Sequence, residues 1–159
     1  MKNFVNALLV IYFLFLTWLI LFKLSLSIST FQNFATWHGG LNLIPFNGTG
    51  DRTEMIANVL VFVPYGGLLA AAGCKRRFAQ LLLAVLLTSL AYEGLQYVLS
   101  IGAADVTDVI CNTFGGLLGL GIFLFFRKVF GEKVMSVLVI ILTIITCLGM
   151  IVMSVFINR

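Results

Sequence analysis

The sequence predicts an all-α fold: a polytopic membrane helical bundle of about five transmembrane helices. The 159 residues are 61% hydrophobic and only 10% charged, and their mean hydropathy is +1.12. A water-soluble domain of this length has too little interior to bury so much apolar surface, so lipid must solvate most of the chain. Long segments that are almost free of charge recur along the whole sequence, and they supply the spans.

A spanning helix needs about 20 largely apolar residues. The segments that meet this requirement are Phe4–Phe22, Met55–Gly73, Phe78–Ser100, Val109–Phe126 and Val134–Ile157. Their only charged residue is Glu93. The first segment is too long for a signal-peptide core and no A-x-A cleavage motif follows it, so we predict a retained helix.

The basic residues predict an orientation in the membrane. With a cytoplasmic N-terminus, five spans place the C-terminus outside and divide the ten Lys and Arg residues seven to three between the two sides. The seven predicted inside are Lys2, Lys75, Arg76, Arg77, Arg127, Lys128 and Lys133, and the three outside are Lys23, Arg52 and Arg159. Because they are scattered through short loops, they indicate membrane topology and not nucleic-acid binding. We therefore predict a multi-pass cell-membrane protein.

The connection between the first two spans, Lys23–Glu54, is predicted to lie outside. It contains Trp37, His38 and the apolar run Asn42–Phe46. Aromatic and apolar residues of this kind favour a segment that lies on the membrane interface or re-enters it.

Polar residues recur near the predicted outer ends of three spans. Asp105, Asp108 and Asn112 have the spacing of one helical face (i, i+3, i+7), and Glu93 and Gln96 form an i, i+3 pair. Glu93 lies about 10 Å below the predicted outer end of its span. A carboxyl group at that depth must be protonated, paired with a cation or exposed to a wet cavity. The predicted cluster comprises Glu54, Asn58, Glu93, Gln96, Asp105, Asp108 and Asn112, with His38 and Arg52 approaching from the outer segment.

Simpler structural roles remain open for several of these residues. Asp105 could cap the helix that follows it, and Asn58 and Asn112 could form hydrogen bonds between helices. His38 could be an ordinary surface residue. Gly115-x-x-x-Gly119 is explained equally well by packing within the chain and by dimerisation.

Four short motifs follow one another in the chain: Asn42-Leu-Ile-Pro45-Phe46, Asn58-x-x-x-Phe62-x-Pro64-x-Gly66, Glu93-x-x-Gln96 and Asp105-x-x-Asp108-x-x-x-Asn112-x-x-Gly115. Together and in this order they resemble the VanZ-like family of bacterial membrane proteins. The motif core spans residues 41–121 of a single domain that we assign to residues 1–159. The chain departs from the family pattern at Gly102, where members often carry a basic residue; Arg52 would have to substitute for it.

The resemblance implies resistance to glycopeptide antibiotics, above all teicoplanin, whose fatty-acyl tail places it at the outer leaflet. One hypothesis is a non-catalytic factor that binds the antibiotic or a lipid-linked envelope precursor, among the membrane lipids. Its binding residues would be Asn42, Pro45, Glu54, Asn58, Gln96, Asn112, Arg52 and His38.

The alternative hypothesis is an intramembrane enzyme that modifies a lipid-linked envelope substrate. Glu93, Asp105 and Asp108 would then act as a general base or as ligands of a divalent cation, because such oxygens suit Mg²⁺ or Ca²⁺. The sequence shows no nucleophile–base pair and no HExxH motif that would favour this alternative.

Overall fold

The computed structural model describes residues 2–21, 40–46, 52–73, 76–99 and 103–157; between 132 and 157 it describes the backbone and a minority of the side chains. These residues form helices joined to two very short strands. The helices are α1 Lys2–Leu21, α2 Arg52–Ala72, α3 Phe78–Val98 and α4 Val106–Ile157, and the strands are β1 Leu41–Asn42 and β2 Ala104–Asp105. The predicted all-α membrane bundle is confirmed.

Among the described residues, four helical segments are long and apolar enough to cross a membrane: Asn3–Leu21, Arg52–Ala72, Phe78–Val98 and Val106–Gly131. They match the first four predicted spans. α4 is interrupted at Gly131, whose φ of 77° and ψ of 169° are not helical. The backbone after this break is again helical up to Ile157 and covers the fifth predicted span.

The hydrophobic core lies among α1, α2 and α3, with α4 closing it from one side. Tyr12 and Leu16 of α1 pack with Phe62 of α2 and Phe123 of α4, and all four side chains are buried. The Tyr12 hydroxyl donates to the carbonyl oxygen of Val61 at 2.7 Å. The carbonyl that loses its helical donor at Pro64 is that of Leu60, four residues earlier, so the tyrosine bond joins α1 to α2 beside this gap without filling it. α2 continues through Pro64 without ending.

Glycines allow α2 and α4 to approach closely. A Cβ added at Gly115 would overlap the carbonyl of Val59, and one added at Gly119 would overlap the carbonyl of Val63. A Cβ on Gly66 would in turn overlap the carbonyl of Gly116. Backbone-to-backbone contact of this kind is available only to residues without side chains. The Gly115-x-x-x-Gly119 motif therefore serves packing within the chain.

β1 and β2 pair in parallel, with Leu41 opposite Ala104 and Asn42 opposite Asp105. Ala104 N–H also donates to the carbonyl of Gly40 at 2.9 Å. β2 runs directly into α4. This pairing, which the sequence analysis did not predict, fastens the segment after α1 to the beginning of α4.

Candidate functional site

Asp105 stands at the junction of β2 and α4. One of its carboxylate oxygens, Oδ1, accepts from the backbone N–H of Thr107 at 2.7 Å, and Oδ2 accepts from the side-chain amide of Asn42 at 2.9 Å. The first bond is that of an N-cap, which satisfies a backbone donor that the helix itself cannot pair. The prediction that Asp105 shares a helical face with Asp108 and Asn112 is wrong, because the helix begins only after it; the capping alternative fits the geometry.

Glu93 connects α3 to this junction. Its side chain is only 5% exposed, and Oε2 accepts from the backbone N–H of Asp105 at 2.8 Å. Glu93 thus holds the backbone of the same residue whose carboxylate holds Asn42. Three distant parts of the chain meet in this short series of hydrogen bonds: the segment before α2, the end of α3 and the beginning of α4. We call this end of the bundle the acidic end.

The segment Asn42–Phe46 is tied to the same place. Its first side chain folds back, so that Asn42 Oδ1 accepts from the backbone N–H of Ile44 at 3.2 Å. The backbone N–H of Phe46 donates to the hydroxyl of Thr107 at 3.1 Å. Phe46 has a φ of 58°, a left-handed conformation that costs a bulky residue about 1–2 kcal/mol. The hydrogen bonds to Asn42 and Thr107 hold the backbone that leads into this conformation.

One face of α3 carries a buried polar row. Ser89, Glu93 and Gln96 follow the i, i+4, i+7 spacing of a single helical face, and all three are buried. The amide of Gln96 donates to the carbonyl of Ile20 in α1 at 3.0 Å, and the amide of Asn112 donates to Ser89 Oγ at 3.0 Å. The row therefore joins α3 to α1 on one side and to α4 on the other.

Gln96 Oε1 of this row and Asn112 Oδ1 of α4 lack a donor in the described part of the chain. Each is on a side chain that is at most 1% exposed. Leaving a buried acceptor without a donor costs about 1–3 kcal/mol. Such oxygens attract a hydrogen-bond donor, so the chemistry of this region suits a donating ligand or an ordered water.

The remaining predicted site residues differ in how deeply they are buried. Asp108 and Asn58 are buried, Glu54 is half-buried, and Pro45 and Arg52 are exposed. Asp108 and Asn112 lie one turn apart on α4 and share a buried face, as predicted. His38 and Gly102 lie outside the described residues.

Sequence reasoning missed two residues that complete the site, Ser89 and Thr107. Ser89 could have been found from its spacing, since it lies one helical turn before Glu93. Thr107 acts through its hydroxyl on a residue that is distant in sequence, Phe46, and no local pattern predicts that contact.

A carboxylate metal centre receives no support from the geometry. In the ranges that the structure describes, no group of three or more His, Cys, Asp or Glu side chains is placed to hold a metal ion. Both oxygens of Asp105 and one of Glu93 accept hydrogen bonds from the chain itself. These bonds occupy oxygens that a metal ion would need in the predicted set Glu93, Asp105 and Asp108.

The similarity of this chain to known proteins covers the region that contains the acidic end. A family model described as VanZ/LLP1 matches residues 9–127, which include every contact described above for the acidic end. The chain belongs to the VanZ/LLP1 family. A relative in this family, Protein VanZ of Enterococcus faecium, is 39% identical over 140 residues, which is 88% of this chain and 86% of the relative. No solved structure matches this VanZ/LLP1 chain.

Family membership and the apolar helices together identify a multi-pass membrane protein. The motifs on which the sequence resemblance depended prove to be spatially joined at the acidic end. Asn42, Glu93 and Asp105 come from three of the four motifs and form one continuous set of hydrogen bonds. The fourth motif, which begins at Asn58, supplies Gly66 to the close packing of α2 against α4.

Proposed function

We propose that this VanZ/LLP1 protein contributes resistance to lipoglycopeptide antibiotics of the teicoplanin type by binding at the outer face of the bacterial cell membrane. The observation that carries the proposal is the convergence of Asn42, Glu93 and Asp105 at the acidic end. The acidic end combines fixed hydrogen-bonding groups with exposed apolar side chains, such as Val98 at the end of α3, which is 75% exposed. This combination suits an amphiphile with a polar head and an acyl tail.

The polar groups also indicate what kind of head group would bind. Gln96 and Asn112 each hold a buried carbonyl oxygen without a donor in the described part of the chain. Both oxygens are acceptors, so the complementary ligand donates hydrogen bonds through hydroxyl, amine or amide groups. An acylated glycopeptide or a sugar-bearing lipid-linked envelope precursor has such donors.

The proposal requires the acidic end to face outwards. Its support is the separation of charge along the bundle: Arg76, Arg77, Arg127 and Lys128 lie at the opposite end, as expected for a cytoplasmic side. In a variant with Cys74, Cys111 and Cys147 replaced by alanine, Leu99→Cys should react with an impermeant maleimide in intact cells, whereas Arg76→Cys should react only after lysis. The reverse pattern would remove the outer-face argument.

The enzymatic alternative remains distinguishable from binding. Asp105 caps α4 and positions Asn42, and Glu93 positions Asp105, so the described bonds of these two carboxylates are structural. This arrangement favours binding over a catalytic role for them. Glu93→Gln keeps an oxygen that can accept from Asp105 N–H but removes the charge and the basicity that general-base chemistry needs.

Susceptibility to teicoplanin and vancomycin tests both hypotheses at matched expression. Under the binding hypothesis, Glu93→Gln and Asp108→Asn lower teicoplanin resistance only in part, and vancomycin, which lacks the acyl tail, is little affected in every strain. Gly121→Ala is the matched control, because nothing lies within 4 Å of an added Cβ there. Complete loss of resistance in Glu93→Gln, with normal protein levels, would favour the enzyme. Equal protection against both drugs would contradict a mechanism based on the acyl tail.

A direct measurement separates the two ligands. The purified protein in nanodiscs should increase the retention of teicoplanin relative to empty nanodiscs, and Asn42→Ala should reduce this increase. If retention does not depend on the protein, the antibiotic is not the ligand. A mass-spectrometric comparison of envelope precursors, with and without the protein, then tests the lipid-linked alternative.

A further inference from the structure

The segment Leu41–Phe46 lies at a definable level along the bundle. The charge-free part of α4, Val109–Phe126, has 18 residues and is about 27 Å long, close to the hydrocarbon thickness of roughly 30 Å. Asp108 therefore marks one hydrocarbon boundary. Phe46 is bonded to Thr107, the residue directly before Asp108, and Asn42 is bonded to Asp105, three residues before Asp108 and therefore on the side away from the charge-free part of α4.

The side chains of this segment are apolar and exposed. Leu43, Ile44 and Phe46 are between 59% and 68% exposed, and the six residues contain no charge. Exposing this much apolar surface to water is unfavourable by about 25 cal/mol per Å². At the level of the hydrocarbon boundary the same side chains would lie against acyl chains, which removes that cost.

The backbone is also suited to a region with little water. Irregular backbone is tolerated near hydrocarbon only when its polar groups have partners inside the protein. The N–H of Ile44 is bonded to Asn42 Oδ1, Pro45 has no N–H, and the N–H of Phe46 is bonded to Thr107. Three consecutive residues thus present no unsatisfied backbone donor.

The segment is held in place and not merely left at the surface. The left-handed backbone of Phe46 is unfavourable for this residue, and its side chain is nevertheless 59% exposed. The bonds of Asn42 and Thr107 fix the two ends of the segment to the beginning of α4. A conformational cost at an exposed apolar residue is consistent with a favourable contact outside the protein.

We infer that Leu41–Phe46 is an interfacial anchor, a segment whose apolar side chains insert into the lipid surface at the acidic end and whose position is set by Asn42 and Thr107. The lipid is the occupant because the level of the segment coincides with the hydrocarbon boundary of α4. This inference does not depend on the proposed function: it would hold for any ligand of the site. It assigns Asn42 and Thr107 as positioning residues for the anchor.

Depth-dependent fluorescence quenching tests the anchor. In the variant with all three cysteines replaced by alanine, Ile44→Cys is labelled with an environment-sensitive dye and reconstituted in phosphatidylcholine vesicles. Quenching by lipids spin-labelled near the top of the acyl chain should exceed quenching by lipids labelled at the head group or deep in the chain. Quenching by aqueous iodide should be several-fold weaker than at Arg76→Cys, a reference at the opposite, basic end, because the interface excludes the ion from the apolar face.

Matched controls make the result decisive. Leu87→Cys, exposed at 55% in the middle of α3, should be quenched most by the deep acyl label. Asn42→Ala and Thr107→Val each remove a side-chain oxygen that accepts a hydrogen bond from a backbone N–H of the segment. Each should therefore raise iodide quenching at Ile44→Cys. Two outcomes would overturn the inference: an Ile44 probe as accessible to iodide as Arg76, which places the segment in water, or a probe shielded from iodide but insensitive to every lipid quencher, which places it against protein.

Discussion

The close packing of α2 against α4 yields the sharpest test of the fold. At Gly119 an added Cβ would lie 2.9 Å from the backbone nitrogen of Gly67 and closer still to the carbonyl oxygen of Val63. Both neighbours are backbone atoms, which cannot rotate out of the way. Gly119→Ala must therefore push the two helices apart along their whole contact.

The cost follows from the packing. Inserting a methyl group into a well-packed interior costs about 1–3 kcal/mol, and a gap of 0.5–1 Å forfeits a quarter to a half of each dispersion contact that it opens. In Gly121→Ala, on the same helix, the added Cβ meets nothing within 4 Å, and the better helix propensity of alanine contributes up to about 1 kcal/mol. Because that gain applies to both substitutions and cancels, we expect Gly119→Ala to be less stable than Gly121→Ala by about 1–3 kcal/mol.

Unfolding in mixed micelles of dodecyl maltoside and sodium dodecyl sulfate, followed by circular dichroism, measures this difference. Gly116→Ala provides an internal comparison, because its Cβ would meet the side chain of Val85 instead of backbone. Adding Val85→Ala should recover part of the stability lost in Gly116→Ala and none of that lost in Gly119→Ala. Equal stability of Gly119→Ala and Gly121→Ala, or rescue of both variants by Val85→Ala, would refute the packing argument.

Other contacts give smaller effects. Tyr12→Phe should lower the free energy of unfolding by about 0.6 kcal/mol, the average for a hydrogen bond between membrane helices, whereas the exposed Tyr97→Phe should not change it in the same micelle assay. Asn42→Ala removes two hydrogen bonds and should cost about 1–3 kcal/mol, and a loss much smaller than this would show that Asn42 does not hold the segment. Phe46→Gly relieves the left-handed backbone, so we expect little change in the micelle assay but weaker shielding of an Ile44 probe from iodide; a large loss of stability would contradict the conformational argument.

The spans could be predicted because each is a long apolar run bounded by charge. Two of the helices begin three residues, nearly a full turn, before the predicted spans. α2 begins at Arg52 and not Met55, and α4 begins at Val106 and not Val109. The extra turn in each case contains polar residues that a hydropathy criterion rejects, but the first turn of a helix favours acids such as Glu54 and Asp108.

The site could be predicted only as a set of polar residues. Spacing identified Glu93, Gln96, Asp108 and Asn112, because residues one or two turns apart share a helical face. It could not identify the pairing of Asn42 with Asp105, which are 63 positions apart, because a two-residue strand has no alternating pattern to detect. For the same reason, the sequence predicts Asp105 on the helix and not in a strand: a strand of two residues leaves no recognisable pattern.

The pairing of β1 with β2 also constrains the order in which the protein can assemble. During synthesis β1 is made before α2 and α3, and β2 is made after them. Asn42 can therefore bond to Asp105 only after both of these helices have been synthesised. Helix insertion and helix association are separable stages in membrane proteins. The bond between Asn42 and Asp105 therefore belongs to the second stage, and a chain that ends before Ala104 would insert three helices yet leave its first connection without its anchor point. The site thus forms late in folding, and its hydrogen bonds can be complete only after α1 to α4 have packed together.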